Sequence, residues 1–110
     1  MSFKIRVRHA AEQEIAKAQT WYEDQQQGLG SEFRQAIDGL FEQLRSTPRI
    51  YRIVHPEVHR AVLDRFPYLI FFRIDDATVR VLACLHSSQH PKLHRLRTLE
   101  IVRPNRSTST

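Results

Sequence analysis

The 110-residue chain has little of what would place it in several common protein classes. Its one cysteine, Cys84, lies in an apolar run and has no partner for an internal disulfide, so a reducing, cytoplasmic setting is expected. Glycine is scarce too: Gly28, Gly30 and Gly39 are the full set, and they form no phosphate-cradling loop. The longest apolar run, residues 68–72, falls far short of the ~20 residues a membrane span needs. The opening residues Met1 to Arg6 lack the apolar stretch of a signal peptide. Acids are missing from one end. From Thr78 onward Glu100 stands alone against Arg80, Lys92, Arg95, Arg97, Arg103 and Arg106. With a net charge of +5, this uneven distribution implies an acidic partner, either nucleic acid or an acidic protein segment.

What is present suffices for one globular domain. Hydrophobic residues make up 41% of the chain, and a chain of this size buries roughly 60–70% of its unfolded surface. Phe3, Ile5 and Val7 alternate with Lys4, Arg6 and Arg8, the period of a half-buried strand with a basic outer face. From Ala10 the period changes. Ala11, Ile15, Ala18 and Tyr22 make one helical stripe with Trp21 beside it, and Trp21, Tyr22 and Phe33 are expected as core or helix-packing residues and not as a base-stacking platform. Gly28 is placed for a left-handed helix cap, Leu29 and Gly30 for the turn, and Ser31 for the next N-cap. Phe33, Ala36, Ile37, Leu40, Phe41 and Leu44 predict a second helix, stopped at Pro48. The two form a helical hairpin.

Three strand-like runs follow. The first passes through residues 60–66 to Pro67, and the second, 68–74, is apolar enough to be covered on both faces. Asp75-Asp76-Ala77 is a hairpin turn into the third, 78–85. Strict alternation there puts Val79, Val81, Ala83 and Leu85 on one face, and Arg80, Leu82, Cys84 and His86 on the other. The fold class is therefore α+β, in the order β-αα-βββ.

That order, with Trp21-Tyr22, Gly28-Leu29-Gly30, Phe33, Pro48, Tyr51, Arg65-Phe66-Pro67-Tyr68, His86 and Pro91 at its joints, resembles the RelE/ParE toxin superfamily, and within it the ParE-like plasmid stabilisation proteins. The resemblance implies an antiparallel sheet packed on the helical hairpin, with residues 1–97 as the toxin domain and 98–110 as a partly disordered extension. It implies a type II toxin–antitoxin component that inhibits DNA gyrase by binding. The implied partner is an antitoxin whose acidic, partly disordered C-terminal segment folds onto the basic sheet and hairpin. Other readings are a ribosome-dependent mRNA endonuclease on the same fold and a non-toxic, basic nucleic-acid-binding module. One position departs from the family pattern: within His86-Ser87-Ser88-Gln89-His90-Pro91, Gln89 stands where an arginine is usual.

Candidate residues follow from chemistry. Metal-free RNA cleavage needs acid–base groups and cations aimed at the phosphate. Arg65, Arg80, His86 and His90 would supply them. Target binding is assigned to Arg65, His86, Gln89 and His90, and antitoxin salt bridges to Arg60, Arg65 and Arg80. Arg65 has a structural alternative, pairing with Asp64, Asp75 or Asp76, and His86 has one as a half-buried imidazole bonded to backbone. The spacing His86-x₃-His90-x₃-His94 is broken by Pro91, so no metal is expected, nor any other cofactor.

Overall fold

The architecture was taken from a computed structural model, which describes residues 2–89, with Gln89 described by its backbone alone. Strand β1 (Lys4–Val7) leads into helices α1 (His9–Gln25) and α2 (Leu29–Ser46). A 3-10 turn at Pro48–Ile50 then precedes β2 (Arg52–His55), β3 (Val58–Val62), β4 (Tyr68–Asp75) and β5 (Thr78–His86). The five strands form one sheet in the order β1-β5-β4-β3-β2. Sequence patterning missed β2, which is short and exposed and pairs only with β3. The sheet is also not wholly antiparallel: β1 lies parallel to β5 because the helical hairpin carries the chain back over the sheet between them.

The hairpin is held by a carboxylate rather than by Ser31. Helix α2 begins at Leu29, so Ser31 lies inside it, and Gly28 occupies the cap position with φ +91°. Glu23 of α1 accepts the N–H of Gly28 through Oε2 and that of Gly30 through Oε1, both at 2.9 Å. A carboxylate on unpaired amides at a helix N-terminus is favoured by hydrogen bonding and by the helix dipole. The two helices also approach closely here: a Cβ at Gly30 would stand 2.7 Å from the Gln19 carbonyl oxygen.

Both helices press one face of the sheet. Ala11, Ile15 and Ala18 meet Phe33, Ile37 and Leu44 over Ile70, Phe72, Val79 and Val81 in the main core. The opposite face carries a second buried cluster, with Leu69 and Phe71 beside Val58, Ala83 and Leu85. Strand β4 is thus apolar on both faces, as its unbroken composition predicts.

One irregularity reverses the expected facing of β5. Phe71 pairs with Ala83 and Phe72 with Val81, which leaves Leu82 as the extra residue of a β-bulge. A one-residue insertion moves every later side chain to the other face. Cys84 consequently joins Val79 and Val81 in the main core, whereas Ala83 and Leu85 face away from the helices. Past Val81, β5 has no strand partner on the β1 side, and there the Cys84 amide donates to Glu14 Oε1 of α1 at 2.8 Å.

The two interior glycines of α2 should respond oppositely to alanine. Gly30→Ala is expected to cost about 1–3 kcal/mol, because the methyl meets backbone. At Gly39 a Cβ has nothing within 4 Å, so Gly39→Ala should gain about 0.5–1 kcal/mol from helix propensity alone. Urea unfolding of both variants checks the signs.

Candidate functional site

At one pole the end of α1, the start of α2 and the β3–β4 and β5 termini meet. Tyr22 stacks on Phe33 at 5.3 Å and meets the edge of Phe66 at 4.9 Å; Tyr68 lies 5.3 Å from Phe33. These rings are packed by the helical stripe, and edge-to-face geometry favours them beyond simple burial. Trp21 packs edge-on against Tyr22 at 5.1 Å and is 55% exposed, so of its two expected places it takes the one on the helix surface and not the one in the core. Its position one residue off the Ala11-Ile15-Ala18-Tyr22 stripe rotates it about 100° away from the sheet.

Arg65 sits on this pole. Strand β3 ends at Val62, short of Pro67, and residues 63–67 turn to bring the chain into β4. Arg65 holds a left-handed backbone there, φ +73°, which is costly for a side chain with a Cβ. Its guanidinium lies over the Phe66 ring at 5.4 Å and donates from Nη2 to Glu32 Oε1 at 2.8 Å. Its partner is therefore Glu32 of α2, and not Asp64, Asp75 or Asp76. No local spacing reveals a pair 33 residues apart.

His86 joins the same pole through Tyr68, ring edge to ring face at 5.2 Å. Nδ1 accepts the Ser88 backbone N–H at 3.0 Å and lies 2.9 Å from Ser88 Oγ. A backbone N–H only donates, so the neutral ring carries its hydrogen on Nε2. The Ser87 amide donates to the Pro67 carbonyl at 2.8 Å and ties this turn to the loop of Arg65. Beside the pole, a groove of about 490 Å³ runs between α2 and the end of β3, with Gly39, Leu40, Tyr51, Val62 and Arg65 in its lining. Tyr51 spans it by donating to Gln43 Oε1 at 2.8 Å.

Arg80 belongs elsewhere. It lies six residues before His86 along β5, about 20 Å at strand rise, and the bulge leaves it on the opposite face of the sheet. There its Nε donates to Asp75 Oδ2 at 2.8 Å, while Arg73 donates to Asp75 Oδ1 at the same distance. Arg60 pairs in register with Phe71 and also faces away from the helices. Of the residues expected to act, Arg65 and His86 lie at the same pole, linked through the Ser87–Pro67 backbone bond, and Arg80 does not. His90 and the side chain of Gln89 lie outside the described residues. Among those residues, no group of His, Cys, Asp and Glu is placed to hold a metal ion, and no helix is long and apolar enough to cross a membrane.

Burial raises the phenols of Tyr22 and Tyr68 above their ordinary value, so both keep their protons at neutral pH. The Cys84 thiol is pushed up to about 12, first by burial and then by the Glu14 carboxylate.

The model of the ParE toxin of type II toxin–antitoxin systems, parDE, matches residues 5–91. The chain belongs to the ParE toxin family. Two solved structures share its fold. A chain of the chromosomal ParDE toxin–antitoxin system from P. aeruginosa is 15% identical, with a TM-score of 0.69 over 76% of this chain and 95% of that one. The isolated E. coli RelE toxin is 14% identical, with a TM-score of 0.59 over 91% and 99%. Comparison with curated proteins finds no match. Membership of the ParE family and the α+β fold of RelE/ParE toxins, both expected from the joints of the chain, are thereby shown.

Two outcomes follow from this geometry. Arg65→Gly should leave stability nearly unchanged, because relief of the left-handed backbone, about 1 kcal/mol, offsets an exposed ion pair worth at most about 1 kcal/mol. Arg65→Val, which keeps the strain and loses the pair, should unfold at clearly lower urea. The Cys84 thiol contributes stability that is full below its unfolded value near 9 and is lost as pH rises through about 12. Thiol alkylation at pH 8 should accordingly wait for unfolding, and rapid labelling of the native protein would contradict the buried thiol.

Proposed function

We propose that this chain is the toxin of a type II module, that it inhibits DNA gyrase by binding in the cytoplasm, and that a cognate acidic antitoxin neutralises it. The family match over residues 5–91 carries this reading. Chemistry at the pole is consistent with binding rather than catalysis: Arg65 is engaged by Glu32, and Tyr68 holds its proton. An exposed tryptophan is the kind of side chain that anchors protein interfaces, and Trp21 is 55% exposed. Trp21, Arg65 and His86, together with Gln89 and His90, are the proposed target contacts. Arg60, Arg65 and Arg80 are the proposed antitoxin contacts. Arg60 and Arg80 face away from the helices and Arg65 lies at the pole, so one antitoxin segment must pass from face to edge to reach all three.

A second reading, a ribosome-dependent mRNA endonuclease, draws on the shared fold with the RelE toxin and on the imidazole of His86 next to Tyr68. Controlled expression in a bacterium separates the two. Gyrase inhibition predicts growth arrest with DNA damage and intact transcripts, relieved by co-expressing the protein encoded beside this reading frame. Cleaved transcripts, with cleavage abolished by His86→Ala in a folded protein, would favour the endonuclease. Normal growth with folded protein would leave a non-toxic, basic nucleic-acid-binding module.

A further inference from the structure

Aromatic rings and a guanidinium are the usual parts of a single-strand nucleic-acid site, and the pole holds both. Trp21 meets Tyr22, Tyr22 meets Phe66, and the Arg65 guanidinium lies over the Phe66 ring. The charge around them has the wrong sign for such a site. Across residues 21–33, 63–68 and 86–89 the acids are Glu23, Asp24, Glu32 and Asp64, and Arg65 is the single lysine or arginine. This local reversal stands in a chain of 17 basic and 12 acidic residues. The next cation along α2, Arg34, is about 200° around the helix from Glu32 and pairs with Asp38.

The four acids are engaged differently. Glu23 holds the amides of Gly28 and Gly30. Asp24 and Asp64 are exposed, and Asp64 lines the groove beside α2 with Glu32 and Arg65. Glu32 reaches the cation itself, at 2.8 Å from Nη2. The loop that carries Arg65 is closed by backbone bonds from Leu63 to Tyr68 and from Tyr68 to Phe66, and Ser87 ties it to β5. With side chains 60% and 49% exposed, the Arg65–Glu32 pair adds little to stability. Its main consequence is electrostatic: it cancels the positive charge of the pole.

We propose that Glu32 is a specificity-determining residue, which neutralises Arg65 and so reserves the aromatic pole for protein and against nucleic acid. The inference rests on the reading of the pole as the target surface and deepens it. A nucleic-acid strand carries a charge about every 3.4 Å wherever it lies. One that stacks on Trp21 and reaches Arg65 brings phosphates among Asp24, Glu32 and Asp64. A protein segment can offer Arg65 a single carbonyl oxygen, or exchange one carboxylate for that of Glu32, and set neutral or basic residues against the other acids. Discrimination then comes from repulsion of the wrong partner as much as from attraction of the right one. The partner that fits is a protein surface with an acceptor oxygen for Arg65 and cations for Asp24 and Asp64.

A single-stranded DNA of about eight nucleotides, within the usual site size, tests this when titrated at low salt into isotope-labelled protein. The Arg65 Nε–H and the indole N–H of Trp21, the sole tryptophan, report the pole separately from binding elsewhere on this basic chain. The pole of Glu32→Gln should bind on the order of tenfold more tightly than that of the wild type, one exposed charge being removed and one released. At the concentration that half-saturates the variant pole, the wild-type resonances should barely move. The fall of affinity with salt should steepen by about 0.7 in log–log slope, one added phosphate contact. Glu32→Asp, which keeps the charge, should behave as the wild type, and Glu32→Gln/Arg65→Gln should lose the gain. Overturning results are equal shifts in wild type and Glu32→Gln, or a gain that survives the loss of Arg65. If these results hold but expression of the folded wild type causes no DNA damage, the gyrase reading fails and Glu32 stands as the discriminating residue. If expression damages DNA with transcripts intact while Glu32→Gln gains nothing, the gyrase reading stands and the role given to Glu32 fails.

Discussion

The β4–β5 ladder runs from Tyr68 opposite His86 to Asp75 opposite Thr78, and the bulge at Leu82 divides it. Each chemically distinctive feature of the molecule is fixed relative to that bulge. Before it, Val79 and Val81 face the helices and Arg80 faces away. After it, Cys84 faces the helices and Leu85 faces away. An uninterrupted period of two would have put Arg80 and His86 on one face of one strand. The extra residue separates them, binding Arg80 into an ionic network and leaving His86 against Tyr68. Because β4 is buried on both faces, no slip of register could undo this without exposing Phe71 or Phe72.

Two regions of different chemistry result. One is an aromatic pole, where the end of α1 and the β3–β4 turn frame Arg65, Trp21 and His86. The other is the row of arginines across β1, β5 and β4, beside the edge of β1 that pairs with no further strand among the described residues. A toxin that must meet both a cellular target and a neutralising partner benefits from surfaces that differ in this way. The first offers flat aromatic area with one strained, ion-paired arginine. The second offers a strand edge and three aligned guanidinium groups, two of which share Asp75.

Much of this architecture was legible in the residues. The stripe from Phe33 to Leu44 could only be a helix with one buried face, and the run from Tyr68 to Ile74 could only be an interior strand. The Asp75-Asp76-Ala77 turn appeared as expected, with Asp76 at φ +53°. Strand β2 was not legible, because Arg52 to His55 are stabilised by pairing with β3 and carry no buried stripe of their own. The cap of α2 was misplaced onto Ser31, because a carboxylate reaching across from the preceding helix leaves no mark in local spacing. Trp21 was legible only as a residue beside the buried stripe, and its packing against Tyr22 with half its surface exposed depends on the neighbouring elements.

The sequence by itself determined the order of elements, the faces of the helices, the basic character of the chain and the joints that mark it as a ParE-family toxin. The first three follow from periodicity and composition, which act over a few residues; the last rests on resemblance of particular residues at the joints and on the family match over residues 5–91. Tertiary structure alone decided which cations share an acid and which stand opposite one another. The Arg65–Glu32 pair, the division of Asp75 between Arg73 and Arg80, and the placement of Arg6 opposite Arg80 all depend on strand register and on helix placement. So does the parting of Arg80 from His86, since a single bulged residue changes direction without changing composition.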